Sequence, residues 1–210
     1  YPPKKPIQLK GVGLNLFALR RIPIMGRIEE RDKLWQTLRD VQQKGTMLTS
    51  LTGVEGIEKT CLAEWLGERG EEFGCCIRIQ IECEHNMRIE HIKPMMRTML
   101  GIEGLTQEEA SSHLLHQVHP SESIFKSIPE LVPLLHPKNN HPLDFSSETF
   151  FSLWLDFLEH ISYKDPKRCR VVILHIEKIM KAPKLFDFCE RMLKSSRSGR
   201  LPILIVLPIR

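Results

Sequence analysis

One short stretch constrains this chain more than any other: Gly53-Val-Glu-Gly56-Ile-Glu58-Lys59-Thr60. Residues 47–51 before it are β-compatible, and residues 59–73 after it place Leu62, Trp65, Leu66 and Phe73 at helical spacing. A glycine turn between a strand and a helix suits a bound phosphate. Glycines let the backbone turn and approach the anion, and free N–H groups at the helix head hold it. The phosphate-loop pattern G-x-x-x-x-G-K-[ST] adds a lysine for the β- and γ-phosphates and a hydroxyl for Mg²⁺. Here the first glycine, an internal glycine, Lys59 and Thr60 are present, but Glu58 stands where the glycine before the lysine belongs. A carboxylate about 5 Å from a phosphate charge repels it by about 3 kcal/mol at an effective dielectric of about 20. That is about a hundredfold in affinity. The bland reading of the stretch is a fortuitous turn between strand and helix.

The rest of the chain predicts an α/β fold. Residues 171–176 and 202–207 are continuous apolar runs, as strands buried on both faces are. Residues 76–83 alternate, with Ile77, Ile79 and Ile81 on one face and Arg78, Gln80 and Glu82 on the other, which predicts a half-exposed strand near a sheet edge. Helical spacing marks residues 28–41, 89–100, 107–118 and 185–193, with Thr106 and Glu109 forming a capping box. Residues 121–136 read as a helix interrupted by Pro129 and Pro133, and residues 136–144 as a loop. Residues 150–161 carry apolar side chains around most of a helix and are expected to be buried. Strands alternating with helices predict a parallel sheet with helices on both faces.

A second motif follows about 110 residues after the loop. The strand Val171-Val-Ile-Leu-His175-Ile176-Glu177 ends where phosphate-loop ATPases carry an acidic pair. One carboxylate of such a pair holds Mg²⁺ through water, and the next activates the attacking water. Ile176 falls at the first position and Glu177 at the second. Glu177 reads either as a catalytic carboxylate or as a solvated charge ending the strand. His175, inside an apolar strand, is expected to be a satisfied core histidine.

With these motifs in place the chain resembles the AAA/STAND class of P-loop NTPases. Ile22-Pro-Ile-Met-Gly26-Arg27-Ile-Glu29-Glu30 resembles their entry motif, Thr60-Cys61-Leu62-Ala63-Glu64 their P-loop helix, and Leu204-Ile-Val-Leu-Pro-Ile-Arg210 the strand that ends in a sensor residue. The similarity runs from about Gly11 to Arg210. It is greatest to the ATPase modules of multidomain bacterial serine/threonine kinases and related signalling regulators. The resemblance implies a P-loop NTPase (AAA-like) core over residues 21–210, preceded by a linker or arm over residues 1–20. The family's lid and winged-helix regions are expected to be missing from these residues. It implies phosphate contacts at Gly53, Gly56, Ile57, Lys59, Thr60 and Cys61, and neighbours of the base at Gly26 and Arg27. It further implies a sensor at Arg210, Mg²⁺ on Thr60, and Glu177 as the catalytic group. The cofactor would be ATP or ADP with Mg²⁺. Glu58 and Ile176 depart from the pattern at the phosphate and metal sites, so weak hydrolysis or none is expected.

Composition narrows the function. The 210 residues carry 30 Lys+Arg against 26 Asp+Glu, a net charge of +4, with the signs interspersed. No strong nucleic-acid footprint stands out. No apolar run reaches the roughly 18 residues a membrane span needs. Six cysteines, two of them adjacent and three inside apolar periodic segments, read as reduced, buried thiols of a cytoplasmic protein. The start, Tyr1-Pro-Pro-Lys-Lys-Pro-Ile, reads as an extended tether or as an arm lying on the domain. His113, His116 and His119 recur every three residues on a helix, but no Cys, Asp or Glu completes a metal set. Met87, Met95, Met96 and Met99 read as core. The expected function is a regulatory ATP-class nucleotide-binding module. The alternatives are a catalytically dead pseudo-ATPase scaffold and a nucleic-acid-binding AAA-type domain. The expected partners are other domains of the same polypeptide or other proteins.

Overall fold

A computed structural model of the chain describes residues 26–54, 59–85, 87–137, 144–164, 169–195 and 200–209. Four strands, β1 (Met47–Leu51), β2 (Cys76–Glu82), β3 (Val171–Glu177) and β4 (Ile203–Pro208), form one sheet in the order β1-β4-β3-β2. All three pairings are parallel. β3 and β4 are central and almost wholly buried, as their continuous apolar runs require. β2 lies at one end of the sheet with a mixed burial pattern, matching its alternating sequence.

The sheet separates two cores. On one face lie α1 (Ile28–Lys44) and α2 (Lys59–Glu72), whose Leu34, Leu38, Leu62 and Leu66 pack against Val171, Ile173, Leu204 and Val206. The larger core on the other face gathers α3 (Lys93–Leu100), α4 (Gln107–Gln117), α5 (Ser123–Leu135), α6 (Glu148–Tyr163) and α7 (Pro183–Lys194) over Ile79, Leu174, Ile176 and Ile205. The predicted helix over residues 89–100 is a 3₁₀ turn, Ile89–His91, followed by α3. Met87 and Met96 are buried, and Met95 and Met99 pack partly buried on the same core.

Local signals set most ends. Gly45, at φ 83°, stops α1 and donates its N–H to the Val41 carbonyl. The Thr106–Glu109 capping box starts α4, and the Ser147 hydroxyl accepts from Phe150 N–H at the head of α6. α5 departs from expectation, because it runs through Pro129 and Pro133 without interruption. An interior proline costs about 3 kcal/mol. The six buried residues of α5, among them Ile124, Ile128, Leu131 and Leu135, gain about 1.5–3 kcal/mol each by leaving water. Burial outweighs both prolines. α6, buried on most sides, lies between the sheet and α5, and its Asp156 accepts a hydrogen bond from Ser127 of α5.

Glycines inside α2 have a packing role. A Cβ on Gly67 would meet Arg78 Cδ at 2.5 Å, and one on Gly70 would run into Cys76 Sγ. A mid-helix glycine costs about 1 kcal/mol relative to alanine. Here it lets α2 press closely onto β2.

Candidate functional site

The glycine loop leaves the C-terminal end of β1 and enters α2. Gly53 adopts φ 154°, a conformation that side-chain-bearing residues rarely take. The Lys59 ammonium donates to the Gly53 carbonyl at 2.8 Å and to the Val54 carbonyl at 2.9 Å. These bonds hold the cation inside the turn of the loop, at the N-terminal end of a 14-residue helix. Backbone N–H groups at such an end present partial positive charge. Thr60, the second residue of α2, is partly buried. Cys61 is exposed, so its apolar-periodic position does not place it in the core. Gly56, Ile57 and Glu58 lie outside the described residues, as does Arg210.

The end of β3 faces the same helix. Residues alternate along the strand, so His175 and Glu177 share the face of Ile173, which packs under α1 and α2. Ile176 points the other way and is buried in the larger core. The carboxylate on the α2 side of the sheet is therefore Glu177. Gln80, from β2, donates to Glu177 Oε1 at 3.4 Å. Burial raises the Glu177 pKa, and the neighbouring carboxylates of Glu82 and Glu64 raise it further. Glu64 lies one helical turn beyond Thr60, so α2 and the β3 terminus meet electrostatically. Lys178, at φ 54°, pairs with Glu82 beside them.

His175 is not the satisfied core histidine its position suggested. It is 0% exposed, and neither ring nitrogen has a hydrogen-bond partner among the described residues. Its Nε2 lies 3.5 Å from Glu177 Oε1. Burial, and secondarily the Arg78 charge, lower its pKa to about 4, so it is neutral at pH 7. Arg78 threads beneath Gly67 with its Nη1 buried and unpartnered among the described residues. Gln80, Glu64 and Arg78 were not anticipated as neighbours of the site. The Thr60–Glu64 spacing of one helical turn and the position of Gln80 directly opposite His175 were the signals that could have found them.

Gly26 (φ 75°) and Arg27 (φ 54°) stand at the head of α1, with Arg27 bonded to Glu30 at 3.1 Å. Open concavities lie along α4 (about 570 Å³), between α1 and α2 (about 470 Å³) and beside α3 (about 440 Å³), and none of these three includes Lys59, Thr60 or Glu177. His116 and His119 are exposed and His113 is half-buried, and among the described residues no three His, Cys, Asp or Glu are grouped to hold a metal. No disulfide joins any of the six cysteines; Cys76, Cys83 and Cys189 are buried, whereas Cys61 and Cys169 are exposed. Among the described residues no helix is long and apolar enough to cross a membrane.

No known family model matches the chain, and no curated protein sequence matches it. Among solved structures, the Aeropyrum pernix ORC2 protein (ADPNP–ADP complexes) is similar at 13% identity with a TM-score of 0.35. The match takes in 90% of this chain but 42% of that one, so this chain spans less than half its length. The chain's own parallel sheet, with the glycine loop running from β1 into α2 and helices on both faces, is an α/β fold consistent with a P-loop NTPase (AAA-like) core.

Proposed function

We propose that this domain is a regulatory nucleotide-binding module of the ATP class with weak hydrolysis or none. The observation that carries the reading is the Lys59 ammonium gathered into its own loop by the Gly53 and Val54 carbonyls, at the head of α2. A cation fixed there meets an arriving phosphate without first being ordered, which lowers the cost of binding. The Lys59 side chain and the backbone N–H groups from Gly53 to Cys61 would hold the phosphates. Gly26 and Arg27 would neighbour the base, and Arg210 would approach the phosphates from the end of β4.

Thr60, in the first turn of α2, carries a hydroxyl oxygen of the kind Mg²⁺ accepts, the ion taking most of its ligands from phosphate and water. The Thr60 hydroxyl would hold the ion, whose chemistry when bound is to neutralise phosphate charge. Glu177 would be the carboxylate that orients a water. Its raised pKa makes it a stronger base than an ordinary glutamate. Slow turnover is expected from Glu58 and Ile176, which depart from the pattern at the phosphate and metal positions, and a regulatory role in a signalling protein suits a domain that binds more readily than it hydrolyses.

One observation favours a second reading, a pseudo-ATPase scaffold that takes no nucleotide. Ile176 not only lacks a carboxylate but points into the opposite core, so a carboxylate placed there would not face the loop. Thermal unfolding with and without millimolar Mg-ATP separates the two. A ligand at a hundred times its Kd stabilises by about 2.7 kcal/mol. The nucleotide reading expects a shift in the natural chain and a larger one in Glu58→Gly. A shift in Glu58→Gly alone supports the scaffold reading. No shift in either protein sinks nucleotide binding.

A further inference from the structure

The cavity of about 440 Å³ beside α3 is walled by charged side chains of both signs, Lys93 and Arg97 against Glu90 and Glu103. It lies across the sheet from α1 and α2, because α3 packs in the larger core. Lys93 is 5% exposed. Lysine is almost never buried so deeply unless it is paired, and here its ammonium meets the Glu90 carboxylate at 3.4 Å. Arg97, one turn further along α3, donates through Nη1 to the Leu135 carbonyl at 3.3 Å and through Nη2 to the Ile102 carbonyl at 3.4 Å. These bonds hold the guanidinium in place, and a guanidinium carries further N–H donors beyond them. Glu103 Oε1 accepts from the Thr98 hydroxyl at 2.7 Å, which fixes a carboxylate that has further acceptor sites.

The apolar lining is Pro94 and Pro137, both exposed, with Leu135. Proline has no side-chain rotamers to lose, so a contact with it costs little ordering. A Cβ on Gly104 would meet nothing within 4 Å, so the cavity is open at that residue. Small molecules bind in concave sites of about 300–1,000 Å³ that combine an apolar lining with a few fixed polar groups. Two cations and two carboxylates make this wall neutral as a whole. A simple anion would face both carboxylates, and a simple cation both basic groups. A zwitterion meets each charge with its opposite. We propose that the α3 cavity binds a zwitterionic α-amino acid with an apolar side chain. Its carboxylate pairs with Arg97 and Lys93, its ammonium with Glu103 and Glu90, and its side chain lies on Pro94, Pro137 and Leu135. The proposal is independent of nucleotide binding.

The test is isothermal titration calorimetry of the full chain with L-leucine and with two analogues that each lack one charge, 4-methylpentanoate and 3-methylbutylamine. Leucine is expected to bind with a Kd in the millimolar range or below, and each analogue at least tenfold more weakly. Glu103 is exposed, so Glu103→Gln removes a partner of the ammonium without disturbing the core, and it should weaken leucine binding at least tenfold. Arg97→Gln should do the same through the carboxylate, with circular dichroism verifying that both variants are folded. If Arg97→Gln unfolds, Glu103→Gln and the two analogues decide alone. Absence of binding by leucine, phenylalanine and methionine at millimolar concentration overturns the proposal. So does 4-methylpentanoate binding as tightly as leucine, or leucine binding that Glu103→Gln leaves unchanged.

Discussion

Replacing His175 by phenylalanine should remove a large part of the acid sensitivity of this fold. The buried imidazole stays neutral down to about pH 4, whereas in the unfolded chain it takes a proton near pH 6.5. Between those values the unfolded state binds more protons, so stability is fully present above pH 6.5 and falls as the pH drops toward 4. The separation corresponds to about 3 kcal/mol in full, of which about 2 kcal/mol is lost between pH 7.5 and pH 5. Glu177 contributes with the opposite sign: its raised pKa means that the folded state holds its proton more tightly, so its contribution is lost as the pH rises. That contribution is common to both proteins and cancels in their difference to first order. Phenylalanine keeps a planar ring of similar size in the 0%-exposed position and removes two buried nitrogens that lack partners among the described residues. Urea unfolding of both proteins at pH 7.5, 6.5, 5.5 and 5.0 measures the difference. His175→Phe should flatten the profile by about 2 kcal/mol over that range. Parallel profiles would refute the reasoning, since they would mean the imidazole is charged or hydrated in the folded state.

Two further substitutions or probes test the packing. Gly70→Ala should destabilise by about 1 kcal/mol, because overpacking of about 1–3 kcal/mol exceeds the helix-propensity gain of about 1 kcal/mol. Adding Cys76→Ala removes the sulfur in the way, so a double-mutant cycle by urea unfolding should show coupling, and a net gain from Gly70→Ala alone would contradict the close approach of α2 to β2. Labelling with a chromogenic thiol reagent should modify Cys61 and Cys169 first. Cys76, Cys83 and Cys189, buried and pushed up to about 12, 11 and 12, should react only on unfolding; rapid labelling of any of the three would rule out that core.

Fold class and most of the elements were legible in the residues alone. Residues 171–176 and 202–207 read as central strands because they are apolar throughout but for His175, and residues 76–83 read as half-exposed because they alternate. Those are local periodicities, and the sheet obeys them. The Gly53–Thr60 stretch likewise announced its strand-to-helix context and the intrusion of Glu58, which lies with Gly56 and Ile57 outside the described residues. Everything else depends on which surfaces meet in three dimensions. Pro129 and Pro133 read as breaks, but the buried face of α5 outweighs their cost. Cys61 falls on an apolar period yet is exposed, because α2 buries Leu62, Ala63 and Leu66 instead. Alternation alone puts His175 and Glu177 on one face and Ile176 on the other. It cannot say which face α2 covers, since the placement of a helix over a sheet is set by the chain's long crossovers. That placement brings Glu64, Gln80 and His175 around Glu177, and it makes a buried histidine one whose ring nitrogens lack partners among the described residues.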